Sequence, residues 1–133
     1  MTSGPQTVEG KMSVAQSKIA AGVDAGRMIA KAAAAERLSE HSTARAIVNF
    51  AEHHQYPFRS LEVSGSHATA GLGIAATVDG QDIRLGSAGW LAQCGVALDE
   101  ALHSQAHQWE SQAMSCVYMA CAGRHVAVFG LAD

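Results

Sequence analysis

Three residues within one short stretch have the side chains for polar recognition acting together: Glu36, Glu40 and His41. A carboxylate accepts hydrogen bonds from an amine, including the exocyclic amine of a nucleobase, and an imidazole offers a flat face that stacks on a base. Further along stand Gly71 and Gly73, one residue apart. Without Cβ atoms, such a pair lets a flat group approach the backbone. Taken alone, His41 is equally a surface histidine in a turn, and the glycines are equally a bulge or a turn, so both readings stay open at this level.

Other constellations carry less. Gly71-Leu72-Gly73-Ile74-Ala75-Ala76 formally matches the G-x-G-x-x-G/A dinucleotide fingerprint, which requires the glycines to end a strand and open a helix. Here the following residues alternate like a strand and run into Asp79-Gly80, so that reading fails. There is no G-x-x-x-x-G-K-[ST] phosphate loop and no H-E-x-x-H zinc helix. His103 and His107, four residues apart, share a helix face that could meet a metal, but no cysteine or acid stands at a companion spacing, and a solvated face is expected. Cys116 and Cys121 fall five apart in a strand, hence on opposite faces, and are read as core filler. No catalytic residue and no metal site is expected.

These residues must be positioned by a mixture of helices and strands. Residues 1–7 are polar and are read as a disordered start, with a strand from Val8 to Val14. Asp24 stands as N-cap to a helix running from Ala25 to Leu38, which has four consecutive alanines and places Glu36 near its C-terminal end, against the helix dipole. A short link, Ser39-Glu40-His41, leads to a second helix from Ser42 to about His54, with Ala44, Ile47, Val48 and Ala51 at helical spacing. Pro57 follows, and the pattern changes to alternation: Leu61, Val63, then Leu72, Ile74, Ala76 and Val78, with Asp79-Gly80 as a hairpin turn into Gln81–Leu85. A helix is expected from Asp99 to Ala113, burying Leu98, Leu102, Ala106 and Trp109, and then strands Ser115–Cys121 and His125–Gly130 around Gly123-Arg124. The fold class is α+β, an antiparallel sheet of about six strands flanked by helical hairpins.

Composition narrows the partners. The 133 residues make one domain, read here as 8–133. Of the 48% apolar residues 26 are alanine, so large core side chains are scarce. Nine Lys and Arg, scattered, with a net charge of −3 give no footprint for nucleic acid. No run of 18 apolar residues and no apolar leader segment occurs, so the chain is expected to be cytosolic and to make no direct membrane contact. Three cysteines at irregular spacing argue against a disulfide framework.

Two blocks then carry a resemblance. Glu36-Arg37-Leu38-Ser39-Glu40-His41-Ser42-Thr43-Ala44-Arg45-Ala46-Ile47-Val48 is similar to the E-x-x-S-E-H-P-x-A-x-A-I-V signature of heavy-metal-transporting P-type ATPases. Gly71-Leu72-Gly73, Val78-Asp79-Gly80 and Leu85-Gly86-Ser87-Ala88-Gly89-Trp90-Leu91 resemble that family's G-x-G, v-x-G and l-G-N-x-x-W-L pattern, in the same order and spacing. The resemblance implies the nucleotide-binding domain of an ATP-driven pump, inserted in its phosphorylation domain, with the actuator domain as a second neighbour and Cu+ as the first expectation for the cargo. It implies that ATP binds, with Mg2+ as the nucleotide's counter-ion, that Glu36 and His41 recognise and orient the adenine, and that Gly71 and Gly73 let it lie on the backbone. Glu40, Ser42 and Ser87 contribute more weakly. Ser42 replaces the family's proline and is free to cap the second helix; Ser87 replaces its asparagine and lacks the amide. The phosphorylated aspartate and the membrane helices would lie elsewhere, so the domain alone is expected to bind ATP without turning it over. The rival from another class is a non-catalytic histidine and cysteine module that binds or senses metal.

Overall fold

The structure, a computed structural model, describes residues 11–133. It contains strands β1 (Ser13–Ile19), β2 (Val63–Thr69), β3 (Gly73–Val78), β4 (Gln81–Gly86), β5 (Ser115–Cys121) and β6 (Arg124–Ala132), and helices α1 (Ala25–Glu36), α2 (Ser42–His53), α3 (Ala88–Gln93) and α4 (Glu100–Glu110). The strands form one sheet in the order β1-β6-β5-β4-β3-β2, every neighbouring pair antiparallel. The α+β class and the six-stranded antiparallel sheet are as expected from the sequence.

A helix pair covers each face of the sheet. On one side Met28, Ile29, Ala32, Ala33, Ile47 and Ala51 of α1 and α2 meet Ile74, Ala76, Val78, Ile83, Leu85 and Phe129. On the other, Trp90 and Leu91 of α3 and Leu102, Ala106 and Trp109 of α4 meet Tyr118, Ala120 and Val128. The alternation along β3 therefore reads directly as a face, with Ile74, Ala76 and Val78 all turned to α1. The alanines are not wasted: Ala32 and Ala33 are wholly buried, and their small side chains let α1 lie close against the strands.

Local chemistry explains the boundaries. Asp24 and Asp99 accept hydrogen bonds from the Arg27 and Leu102 amides (3.1 and 3.0 Å), capping α1 and α4. At the β3–β4 turn Asp79 and Gly80 have φ of 49° and 80°, the mirror-image turn that Asp-Gly favours, and Val78 pairs with Gln81 across it.

Several expected boundaries move. The first strand is Ser13–Ile19 rather than Val8–Val14, and positions 8–10, with the start 1–7, lie outside the described residues. Among the described residues this edge strand pairs with β6 alone, carries an irregularity between Val14 and Gln16, and is mostly exposed, so it shows no alternation to read. The polar strand β2, bulged between Ser64 and His67, hid for the same reason. The last hairpin turns at Ala122-Gly123, with φ of 52° and 81°, not at Gly123-Arg124, and Cys121 pairs with Arg124. Helix α1 stops at Glu36, two residues short of Leu38, and α4 stops at Glu110. Helix α3 had no sequence expectation; its signal is Ser87, whose Oγ accepts from the Trp90 amide at 3.1 Å.

Candidate functional site

At one end of the sheet, the last turn of α1, the α1–α2 link, the β2–β3 turn and the β4–α3 junction converge around a cavity of about 280 Å³. Its walls include Glu36, His41, Gly71, Gly73, Gly86 and Ser87. Five of the seven residues singled out in the sequence are thus brought together from three separate segments. Glu40 and Ser42 are not: both are exposed and neither lines the cavity.

The link is built by Ser39. Its amide donates to the Glu36 carbonyl (3.0 Å), and its Oγ accepts from the His41 amide (3.3 Å). These bonds reverse the chain within a few residues and hold the imidazole at the N-terminus of α2, where His41 is the N-cap residue without a side-chain cap bond. Ser42 lies inside the helix and so does not cap it, contrary to expectation; its hydroxyl meets the Met12 sulfur at 3.8 Å instead.

Glu36 is the electrostatic feature of the site. Only 7% exposed, its carboxyl is pushed up to about 7 by burial, with no compensating donor among the described residues. It sits at the negative end of the α1 dipole, which disfavours a second negative charge. A carboxylate held this way is an acceptor in want of a donor.

The two glycines do different work. Gly71 has φ of 77° in the turn Thr69–Leu72, and a Cβ there would meet nothing within 4 Å, so its side faces open space. Gly73 is close-packed: a Cβ would strike the Leu85 carbonyl oxygen and lie 2.6 Å from two ring carbons of Trp90. Gly86, paired with Gly73 across the strands, is equally crowded by the Leu72 carbonyl and by Trp90 at 2.8 Å. The G-x-G and G-S-x-x-W segments are therefore one packing unit, in which a tryptophan on α3 lies under two glycines on paired strands. Ser87 edges the cavity, but its Oγ is already engaged as the α3 cap.

Cys116 and Val117 of β5 also line the cavity. Cys116 and Cys121 do occupy opposite faces, one in each core cluster, and Cys116 reaches the cavity as well. No local signal marks it, because β4–β5 pairing across a long stretch of sequence brings it there. All three cysteines are free. Among the described residues no group of three or more His, Cys, Asp or Glu side chains is placed to hold a metal, and no helix is long and apolar enough to cross a membrane.

The comparisons with known proteins agree with this fold. No protein-family model matches the chain. Over 109 residues it is 37% identical to the Synechocystis protein named "Probable copper-transporting ATPase PacS", covering 80% of this chain and 14% of that one. The crystal structure of the N-domain of HMA6, a copper-transporting P-type ATPase, matches with a TM-score of 0.76 at 22% identity, over 92% of this chain and 100% of that domain. The crystal structure of a zinc-transporting PIB-type ATPase matches with a TM-score of 0.79 at 25% identity, over 93% of this chain and 19% of that one.

Fold, motifs and relatives define the class: the chain belongs to the heavy-metal-transporting P-type ATPases. Its fold is that of the HMA6 N-domain, and it spans only 14% of the length of the curated relative it matches.

Proposed function

We propose that this domain binds ATP by its adenine and presents the γ-phosphate to an aspartate on a separate phosphorylation domain of the same pump, an ATP-driven exporter of heavy-metal ions, Cu+ foremost. The observation that carries the reading is the convergence of Glu36 and His41 from one segment and Gly71 from another on one cavity, which no lysine or arginine lines among the described residues. Glu36 accepts from the exocyclic amine, which supplies the missing donor and favours the ionised carboxyl. His41 stacks on the ring, and Gly71 leaves its side of the ring unobstructed. Gly73 serves indirectly, by letting Trp90 support the floor.

Size and charge support recognition of the base. A cavity of about 280 Å³ is at the low end of the roughly 300 to 1,000 Å³ of ordinary ligand sites, enough for a base with the ribose and phosphates outside. Mg2+ accompanies the triphosphate as its counter-ion; with Glu36 the sole carboxylate lining the cavity among the described residues, no step is assigned to the metal within this domain. The domain contributes positioning and proximity, and the phosphorylation and actuator domains supply the rest. Alone, it binds ATP without turning it over.

AMP, ADP and ATP are therefore expected to bind with similar strength. Amide chemical shifts followed during titration with each nucleotide test this. A hundredfold preference for ATP over AMP would contradict adenine-dominated binding.

A further inference from the structure

Helix α4 lies on the sheet face opposite α1 and α2, and its two histidines are not a plain solvated face. His103 is half-buried, and its Nδ1 lies 2.8 Å from the hydroxyl of Tyr118 on β5. Tyr118 is itself fixed, 3% exposed and stacked on the His125 ring at 5.2 Å between centroids. On the outer side His107 has its Nδ1 3.7 Å from the Glu110 carboxylate. Each ring thus has a polar group beside its Nδ1, the buried Tyr118 hydroxyl for His103 and the surface Glu110 carboxylate for His107, and the two Nε2 atoms lie 3.3 Å apart.

That separation has a chemical meaning. Two imidazole nitrogens at 2.0 to 2.1 Å from a tetrahedral metal lie about 3.3 Å from one another. Partners at the second ring nitrogen, a carboxylate or another fixed polar group, are what orients metal-binding histidines and fixes their tautomers. We propose that His103 and His107 form a two-histidine site for a divalent transition-metal ion of borderline softness, Zn2+ or Cu2+, with water filling the remaining positions. Imidazole suits these ions, and the exposure of His107 (66%) leaves the open positions accessible.

Without metal, one proton pattern satisfies the group: the Tyr118 hydroxyl donates to His103 Nδ1, and His103 Nε2–H donates to His107 Nε2. On binding, the single ring proton of His103 moves from Nε2 to Nδ1, where the Tyr118 oxygen accepts it. Both Nε2 lone pairs are then free for the metal, and the number of protons on the two rings is unchanged by this shift. The site goes beyond the nucleotide reading and is independent of it, since the Glu36 cavity shares no residue with it.

Zn2+ is titrated calorimetrically into the metal-free 133-residue chain, with ring signals of the histidines followed by NMR. The expected result is one equivalent bound, with the His103 and His107 signals shifting first. His107→Ala is exposed and should fold normally, lose at least tenfold in affinity, and bind AMP as the wild type does. The double variant His53→Ala, His54→Ala, which removes the adjacent histidines at the C-terminal end of α2 on the other face of the sheet, should bind Zn2+ unchanged. Equal affinity in wild type and His107→Ala, the absence of stoichiometric binding, or a loss that follows His53 and His54 would each overturn the proposal.

Discussion

Glu36→Gln should make the domain more stable while making its ligand site worse. In the wild type the carboxyl titrates near 7 in the folded chain, against 4.5 for an unburied glutamate. Ionising it inside the fold therefore costs free energy that ionising it in the unfolded chain does not. At about 1.4 kcal/mol per pH unit, the gap corresponds to about 3 kcal/mol at full ionisation. The sign follows from the raised value: below pH 4.5 the group is protonated in both states and costs nothing by this route, the cost grows between 4.5 and about 7, and above that it is constant. Glutamine is a neutral near-isostere of the protonated acid, so it removes the penalty without opening a cavity. Urea unfolding at pH 4.5 and pH 8 should show the variant close to wild type at the lower pH and about 3 kcal/mol more stable at the higher, a shift on the order of 10 °C in Tm. AMP affinity of the wild type should rise between pH 6 and 8, as the acceptor ionises, and stay flat in the variant. A variant no more stable than wild type at pH 8 would refute the buried, unpaired carboxyl; a wild-type affinity independent of pH would refute its role as acceptor.

The glycines separate packing from access. Gly73→Ala drives a methyl into the Leu85 carbonyl and Trp90, so it should destabilise by several kcal/mol, visible as a lowered urea midpoint even without ligand. Gly71→Ala meets open space and pays only for its φ of 77°, about 1 to 2 kcal/mol, while placing a methyl beside the bound base, so its larger effect should fall on nucleotide affinity. Asp99→Ala removes the α4 cap and should cost about 1 kcal/mol by thermal unfolding, with AMP affinity unchanged because α4 has no residue in the cavity.

What could be seen in the sequence divides along physical lines. Helices α1 and α2 were legible because an N-cap aspartate and a helical apolar stripe mark them, and the β3–β4 hairpin because alternation flanks Asp79-Gly80. Strands β1 and β2 were not, since edge strands with bulges and exposed polar residues carry no period. Around the cavity, residue type and spacing raised Glu36, His41 and Gly71 without deciding their role, the family resemblance singled them out, and neither gave the split between the two glycines. That distinction depends on Trp90, which reaches Gly73 only after α3 folds back on the paired strands. Cys116 arrives through long-range strand pairing, and the convergence of His103 with His107 depends on the Tyr118 hydroxyl, which no spacing rule encodes.

The central claim is that His41 contacts the adenine. His41 is exposed, makes no side-chain cap bond and is the N-cap residue of α2, so His41→Ala should leave the unfolding midpoint within about 0.5 kcal/mol of wild type. AMP titration of the two proteins, followed by amide chemical shifts, is the direct test. The expected result is at least a tenfold weaker affinity in the variant, with wild-type shifts centred on Glu36, Ser39 and Gly71. Equal affinity in both proteins would contradict it and leave His41 a turn residue.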